Sequence, residues 1–220
     1  MHMKVILTGA TGMVGEGVLT ECLNHPDVES VLLLTRKSAG LNHPKVTEVI
    51  HSDFLDISAV ESRLTGFDAC FFCLGVTSIG KKEAEYTRLT YDLTMHIAQK
   101  LSKLNNGMVF CYVSGGGTDS SEKGRLMWAR VKGKTENDLM KLPFKAVYNF
   151  RPGFLIPSRG AKNVLPAYKY FSWLVPILKV LTPKAIGSLK ELGLAMINVV
   201  KFGYRKNILE VVDIREASLK

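Results

Sequence analysis

The stretch that most constrains this chain is Lys4-Val5-Ile6-Leu7-Thr8-Gly9-Ala10-Thr11-Gly12-Met13-Val14-Gly15. A short apolar run of strand character enters a glycine-rich turn. Apolar residues at helical period (Met13, Val14, Val18, Leu19, Cys22 and Leu23) follow at once. That order reads as a strand, a tight turn and a helix N-terminus. Gly9 can take the positive φ of the turn, Gly12 lets the backbone approach a pyrophosphate, and Gly15 lets the helix pack on the strand. The unpaired N–H groups of the first helical turn then face an anion. Thr8, Gly9, Thr11, Gly12, Met13, Val14 and Gly15 are therefore the candidate contacts of a dinucleotide.

The 220 residues suit one α/β domain spanning residues 1–220. With 46% hydrophobic and 22% charged residues, the composition is that of a globular protein. Val5 to Thr8 is too short for the apolar core of a signal peptide, so a cytoplasmic location is expected. Cys70, Cys73 and Cys111 fall in apolar runs, Cys22 falls on the apolar face of the first helix, and all four read as buried, reduced thiols. None has zinc-ligand company, so no metal is expected. A net charge of +9 invites a polyanion, but the Lys and Arg residues are spread along the chain and not clustered with aromatics. This argues against nucleic acid and for a basic rim around a phosphate-bearing cofactor.

Val31 to Thr35 reads as the second strand, and the residues after it decide the cofactor. An acid here would bind a ribose 2′-OH and repel a 2′-phosphate, whereas a guanidinium grips the phosphate. The chain has Arg36 and Lys37, so NADP is expected over NAD, the alternative being that both are only a solvated loop. Val46 to His51 is read as the third strand and Ile57 to Leu64 as a helix. Ala69 to Leu74 is a continuous apolar run suited to a central parallel strand, and Leu74, Gly75 and Thr77 at its end are candidate cofactor contacts. A helix from Lys82 to Leu104 carries Leu89, Leu93, Ile97 and Leu101 at helical spacing, with Tyr86, Tyr91 and His96 read as packing residues. Met108 to Val113 is the fifth strand, followed by Ser114 and three glycines. Thr118 to Ser121 are expected to cap a helix starting near Lys123, and Lys145 to Phe150 is the sixth strand. Beyond Ile156 the alternation weakens. An amphipathic helix from Leu189 to Phe202, a short strand from Asn207 to Val212 and a frayed tail from Arg215 close the chain.

Thr8-Gly9-x-x-Gly12-x-x-Gly15, Ser114 and the run Val131-Lys132-Gly133-Lys134-Thr135-Glu136 together resemble the short-chain dehydrogenase/reductase superfamily. Within it they are similar to the atypical branch that holds NAD(P)-binding, epimerase-like proteins and the oxidoreductases of the Tat-interacting group. The resemblance implies a doubly wound parallel sheet of Rossmann type in a three-layer αβα sandwich. It implies that Asp53 bonds the adenine amino group with Phe54 beside the ring, the alternative being that Asp53 or Asp56 caps the next helix. It further implies that Ser114 orients the substrate carbonyl, that Lys132 holds the nicotinamide ribose, and that Pro152-Gly153 lies beside the nicotinamide amide. Pro-Gly is also a general turn signal.

The superfamily expects Tyr-x-x-x-Lys, and here Trp128 stands at the tyrosine's position. An indole N–H donates a hydrogen bond but does not exchange a proton near neutral pH. Proton delivery then falls to water held by Lys132, or to a tyrosine such as Tyr86 or Tyr91. The resemblance places the substrate pocket in residues from about 156 to 205. Tyr168, Tyr170, Phe171, Trp173, Leu174 and Ile177 there imply a lipophilic or aromatic small molecule, with core packing as the alternative use of each. Interrupting lysines and prolines leave no apolar run of about 20 residues for a membrane span. Peripheral membrane contact through Phe171 to Leu181 is a further use of the same stretch. Two functions of different class emerge, for a monomer or a homodimer. One is an NADP(H)-dependent oxidoreductase or epimerase-like enzyme. The other is a non-catalytic NADPH-binding module that senses redox state or binds a protein partner.

Overall fold

A computed structural model describes residues 2–157, 163 and 185–220. The sequence of elements begins with β1 (Met3–Thr8), α1 (Met13–Asn24), β2 (Val28–Thr35) and β3 (Val46–Ile50). A 3-10 helix (Ser58–Leu64) leads to β4 (Ala69–Phe72). Next come α2 (Glu83–Thr87), a π-helical turn (Arg88–Asp92), α3 (Leu93–Leu104) and β5 (Val109–Val113). The chain continues through α4 (Met127–Leu139), β6 (Ala146–Arg151) and β7 (Phe154–Ile156). Last are β8 (Ile186–Ser188), α5 (Leu189–Phe202), β9 (Ile208–Glu210) and α6 (Val211–Ser218).

Seven strands form one parallel sheet in the order β3-β2-β1-β4-β5-β6-β9, and β7 pairs with β8 in a separate parallel ladder. Alternate residues of each strand serve opposite cores, as a sheet covered on both faces requires. Val5, Leu7 and Phe71 pack with α1, α5 and α6, whereas Ile6, Cys70 and Phe72 pack with the 3-10 helix, α3 and α4. The fold is thus the three-layer αβα sandwich. Strand order reverses between β1 and β4, and in open parallel sheets the crevice outside that reversal is where ligands bind.

Four local expectations differ from the structure. The helix after β5 starts at Met127, not near Lys123, because Asp119 folds the preceding segment onto itself. Its carboxylate accepts from Ser121 N at 3.0 Å and Gly124 N at 2.6 Å. The stretch from Lys82 is not one α-helix: its α-helical turns are interrupted by the π-helical turn at Arg88–Asp92. The strand near residue 207 is limited to Ile208–Glu210. The tail is not frayed. Val211–Ser218 is a helix opened by a Glu210/Asp213 capping box, and Arg215 ties it to Glu191 at 3.1 Å and to the Ile186 carbonyl at 2.8 Å. Tyr168, Tyr170, Phe171, Trp173, Leu174, Ile177 and the Phe171 to Leu181 segment lie outside the described residues.

Candidate active site

The site begins at the turn between β1 and α1. Gly9 takes φ +72°, and a Cβ there would lie 2.7 Å from the Cys73 carbonyl oxygen, so the turn is pressed against the chain leaving β4. Gly15 is equally constrained: a Cβ would sit 2.1 Å from the Gly9 carbonyl oxygen. Helix α1 opens at Gly12 without a side-chain cap, leaving its first-turn N–H groups available to an outside acceptor. Thr8 is fully buried, and its hydroxyl accepts from Leu74 N at 3.3 Å, fixing the β4 loop beside the turn.

Two cavities meet at Leu74, which lines both. The smaller, about 490 Å³, is bounded by Gly9 and Thr11, by Arg36 and Lys37 after β2, and by Phe54. The Thr35 hydroxyl donates to the Lys37 carbonyl at 2.7 Å, and Glu48 accepts from Ser38 Oγ at 2.7 Å and Ala39 N at 2.8 Å. These bonds hold the loop while Arg36 and Lys37 remain exposed, in no ion pair among the described residues. Phe54 is 3% exposed and belongs to the core, so it shows the cavity little of its ring. Asp53 is exposed outside the cavity lining and accepts from Leu55 N at 2.9 Å, while Asp56 takes Ser58 N at 3.0 Å at the start of the 3-10 helix.

The larger cavity, about 600 Å³, receives Gly12, Met13 and Val14 from α1, and Leu74, Gly75 and Thr77 from the loop after β4. Ser114 comes from the end of β5, Lys132 from α4, and Pro152 and Gly153 from the end of β6. Apolar wall is added by Val76, Phe154 and Leu155. Lys132 Nζ donates to the Ser114 carbonyl oxygen. Burial pushes its pKa down to about 8, against the opposing pull of Glu136. The Cys73 thiol, in the same cavity, is pushed up by burial and stays protonated.

Ser114 does not present its hydroxyl proton to the cavity. Its Oγ lies 2.5 Å from Glu136 Oε1 and 3.1 Å from the Phe150 carbonyl oxygen, and the single hydroxyl proton goes to the carboxylate. Glu136 is fully buried and also accepts from Arg151, Nε to Oε1 at 3.0 Å and Nη2 to Oε2 at 2.5 Å. Arg151 reaches on to Ser120 Oγ at 2.5 Å and Glu210 at 3.3 Å. Glu136 and Arg151 are the part of the site that the sequence reading did not single out. The available signal was a carboxylate one helical turn after Lys132 and an arginine directly before Pro152. Ser114→Ala is expected to lower stability by about 1.5–3 kcal/mol in urea unfolding, because it removes a hydrogen bond to a buried charge.

Trp128 does not line either cavity. Its ring lies against the loop after Ser114, with Cη2 3.5 Å from where a Gly117 Cβ would stand. The two tyrosines considered as proton donors are committed elsewhere. Tyr86 is 2% exposed, and the Tyr91 hydroxyl donates to Asp138 Oδ2 at 2.7 Å with Lys134 over its ring. Neither lines the larger cavity.

A family model described as NAD(P)H-binding matches residues 9–140, which contain the glycine turn, β2, β4, β5 and α4. The chain belongs to this NAD(P)H-binding family. Among curated relatives, the mitochondrial protein fmp52 of Emericella nidulans is 30% identical over 175 residues, covering 76% of this chain and 73% of the relative. The HTATIP2 protein of Rattus norvegicus is 27% identical over 160 residues, covering 72% of this chain and 65% of that protein. Among solved structures, the Bordetella bronchiseptica enzyme WbmG in complex with NAD superposes with a TM-score of 0.68 at 12% identity, covering 100% of this chain and 78% of that one. The family and its neighbours bear out the resemblance to atypical short-chain dehydrogenases and the Rossmann-type fold. The cytoplasmic expectation is corrected by the same relatives, since the Fmp52 proteins are named mitochondrial. Among the described residues no helix is long and apolar enough to cross a membrane, and no group of metal-ligating side chains is found.

Proposed function

We propose that this family member is an NADP(H)-dependent oxidoreductase acting on a carbonyl or secondary alcohol of an apolar small molecule. The observation that carries the reading is the pairing of the two cavities at Leu74, one ending in Arg36 and Lys37, the other in Lys132 and an apolar wall. The residues fit a dinucleotide. The glycine turn admits a close approach, the N–H groups that open α1 suit a pyrophosphate, and the two exposed cations at the end of β2, in no ion pair among the described residues, suit a 2′-phosphate. When bound, the nicotinamide supplies or accepts a hydride.

The chain's own residues do the rest. Asp53 stands outside the smaller cavity for the adenine amino group, Pro152 and Gly153 back the nicotinamide end, and Lys132 offers an N–H donor to the ribose. Lys132 is the single charged side chain among the described residues of the larger cavity. A nucleotide sugar would need further cations for its diphosphate there, so Val76, Phe154 and Leu155 favour a neutral, apolar substrate. The names of the Fmp52 relatives support a mitochondrial location.

A second reading is a non-catalytic NADPH-binding sensor, favoured by Trp128 at the position where the resemblance expects a tyrosine. Stopped-flow oxidation of bound NADPH by benzaldehyde, cyclohexanone and acetophenone separates the two. Oxidation by any of these is expected of the enzyme, and binding without oxidation supports the sensor. Arg36→Ala is expected to weaken NADPH binding about tenfold, about 1.4 kcal/mol, and to leave NADH binding unchanged, as read by titration calorimetry.

A further inference from the structure

We propose that Lys132 is itself the proton donor of this cleft, its ε-ammonium delivering the proton to the substrate oxygen, a role that rests on the oxidoreductase reading above. Four described residues of the larger cavity carry an exchangeable side-chain proton: Cys73, Thr77, Ser114 and Lys132. The Ser114 proton is held by Glu136. Burial holds the Cys73 thiol well above its ordinary range, and the Thr77 hydroxyl, which accepts from Ile79 N at 3.2 Å, is too weak an acid to serve. Tyr86, Tyr91 and Trp128 lie outside the cavity, and the Trp128 indole N–H does not give up its proton near neutral pH. Among the described residues Lys132 makes one hydrogen bond, to the Ser114 carbonyl oxygen, which leaves one N–H for the cofactor's ribose and one for the substrate oxygen in the cavity that it lines.

The groups facing Lys132 set its behaviour. Glu136 lies on its own helix, while Arg151 on β6 and Glu210 on β9 act behind that carboxylate, which Arg151 neutralises. Cys73 stands at the end of β4 as a neutral thiol, and α1 presents backbone N–H groups. Burial therefore prevails over the attraction of Glu136 and brings the amine to about 8, where both protonation states are within reach near neutral pH. Ser114, through its carbonyl, is the positioning residue, and the Glu136–Arg151 pair fixes Ser114. In the carbonyl-reducing direction a bound cofactor would supply the hydride for the carbonyl carbon, and Lys132 supplies the proton for its oxygen. One N–H bond of Lys132 breaks, its electron pair stays on nitrogen, an O–H bond forms, and the neutral amine regains a proton from water. In the opposite direction the neutral amine takes the hydroxyl proton.

The first test needs no turnover. The unliganded chain is labelled with limiting acetic anhydride across pH, and Lys132 is followed by peptide mass spectrometry with surface lysines as internal standards. A midpoint near 8 is expected, and a midpoint at the surface-lysine value overturns the proposal. In the second test, NADPH oxidation by benzaldehyde is expected to slow as pH rises through about 8 and the ammonium deprotonates. Lys132→Arg keeps a cation that does not titrate. It is expected to hold NADPH within about threefold of the wild-type affinity, to lose at least about 100-fold in single-turnover rate, and to lose the pH dependence. A Lys132→Arg chain that turns over with the wild-type pH profile assigns the proton to another group, one between residues 158 and 184 included, and leaves the oxidoreductase reading standing. A wild-type chain that binds NADPH and oxidises none with any of the three carbonyls removes both.

Discussion

Glu136→Leu is expected to cost the protein about 3–5 kcal/mol of stability, read as a lowered urea midpoint and a melting temperature down by about 10 °C. Glu136 is fully buried and Arg151 is 11% exposed at its side chain, so removing the carboxylate strands a guanidinium away from water. Ser114 loses the acceptor of its hydroxyl proton at the same time. Residual pairing of Arg151 with Glu210 and Ser120, at the more exposed end of the cluster, recovers little of this. The double variant Glu136→Leu, Arg151→Met removes both charges and is expected to regain a large part of the loss. If the two single losses simply add, the pair is not coupled and the account of the cluster is wrong.

Gly15→Val is expected to weaken NADPH binding at least about 100-fold, about 2.7 kcal/mol. A Cβ at Gly15 would lie 2.1 Å from the Gly9 carbonyl oxygen, so α1 must move off β1 and carry its first-turn N–H groups away from the cofactor. Stability should also fall by about 1–3 kcal/mol from overpacking. Gly12→Ala separates the two effects. Its Cβ meets nothing closer than the Gly9 carbonyl oxygen at 3.5 Å, so the fold is expected to be retained while affinity falls where the pyrophosphate approaches. Circular dichroism and calorimetry on the two variants check the contrast. A Gly12→Ala chain with wild-type affinity would place the phosphates elsewhere.

The parts of this fold legible in the sequence are those written in short, local patterns. The strand-turn-helix at the N-terminus is found where its glycines place it, and six of the strands in the large sheet fall within a few residues of their apolar runs. The less legible parts depend on partners far along the chain. Glu136 stands in the sequence only as the end of the Val131 to Glu136 run, and its partner Arg151 lies 15 residues on. Tyr91 is withdrawn from chemistry by Asp138, 47 residues away. Helix α4 starts late because one side chain, Asp119, captures the backbone ahead of it. Helix α6 seats Val211, Ile214 and Ala217 in the core on a short apolar face, and Arg215 adds bonds to Glu191 and Ile186. Ser114 shows the same limit at the site. A serine at the end of a strand announces a cleft residue, but which way its proton points is decided by the buried carboxylate beside it.

The most direct test of the whole account is a crystal structure of the chain with NADPH bound. The 2′-phosphate is expected on Arg36 and Lys37, the pyrophosphate on the N–H groups of Met13 and Val14, and the nicotinamide in the larger cavity within hydrogen-bond reach of Lys132 through its ribose. A 2′-phosphate pointing to solvent away from Arg36, or a nicotinamide lying outside the cavity that Lys132 lines, would contradict it.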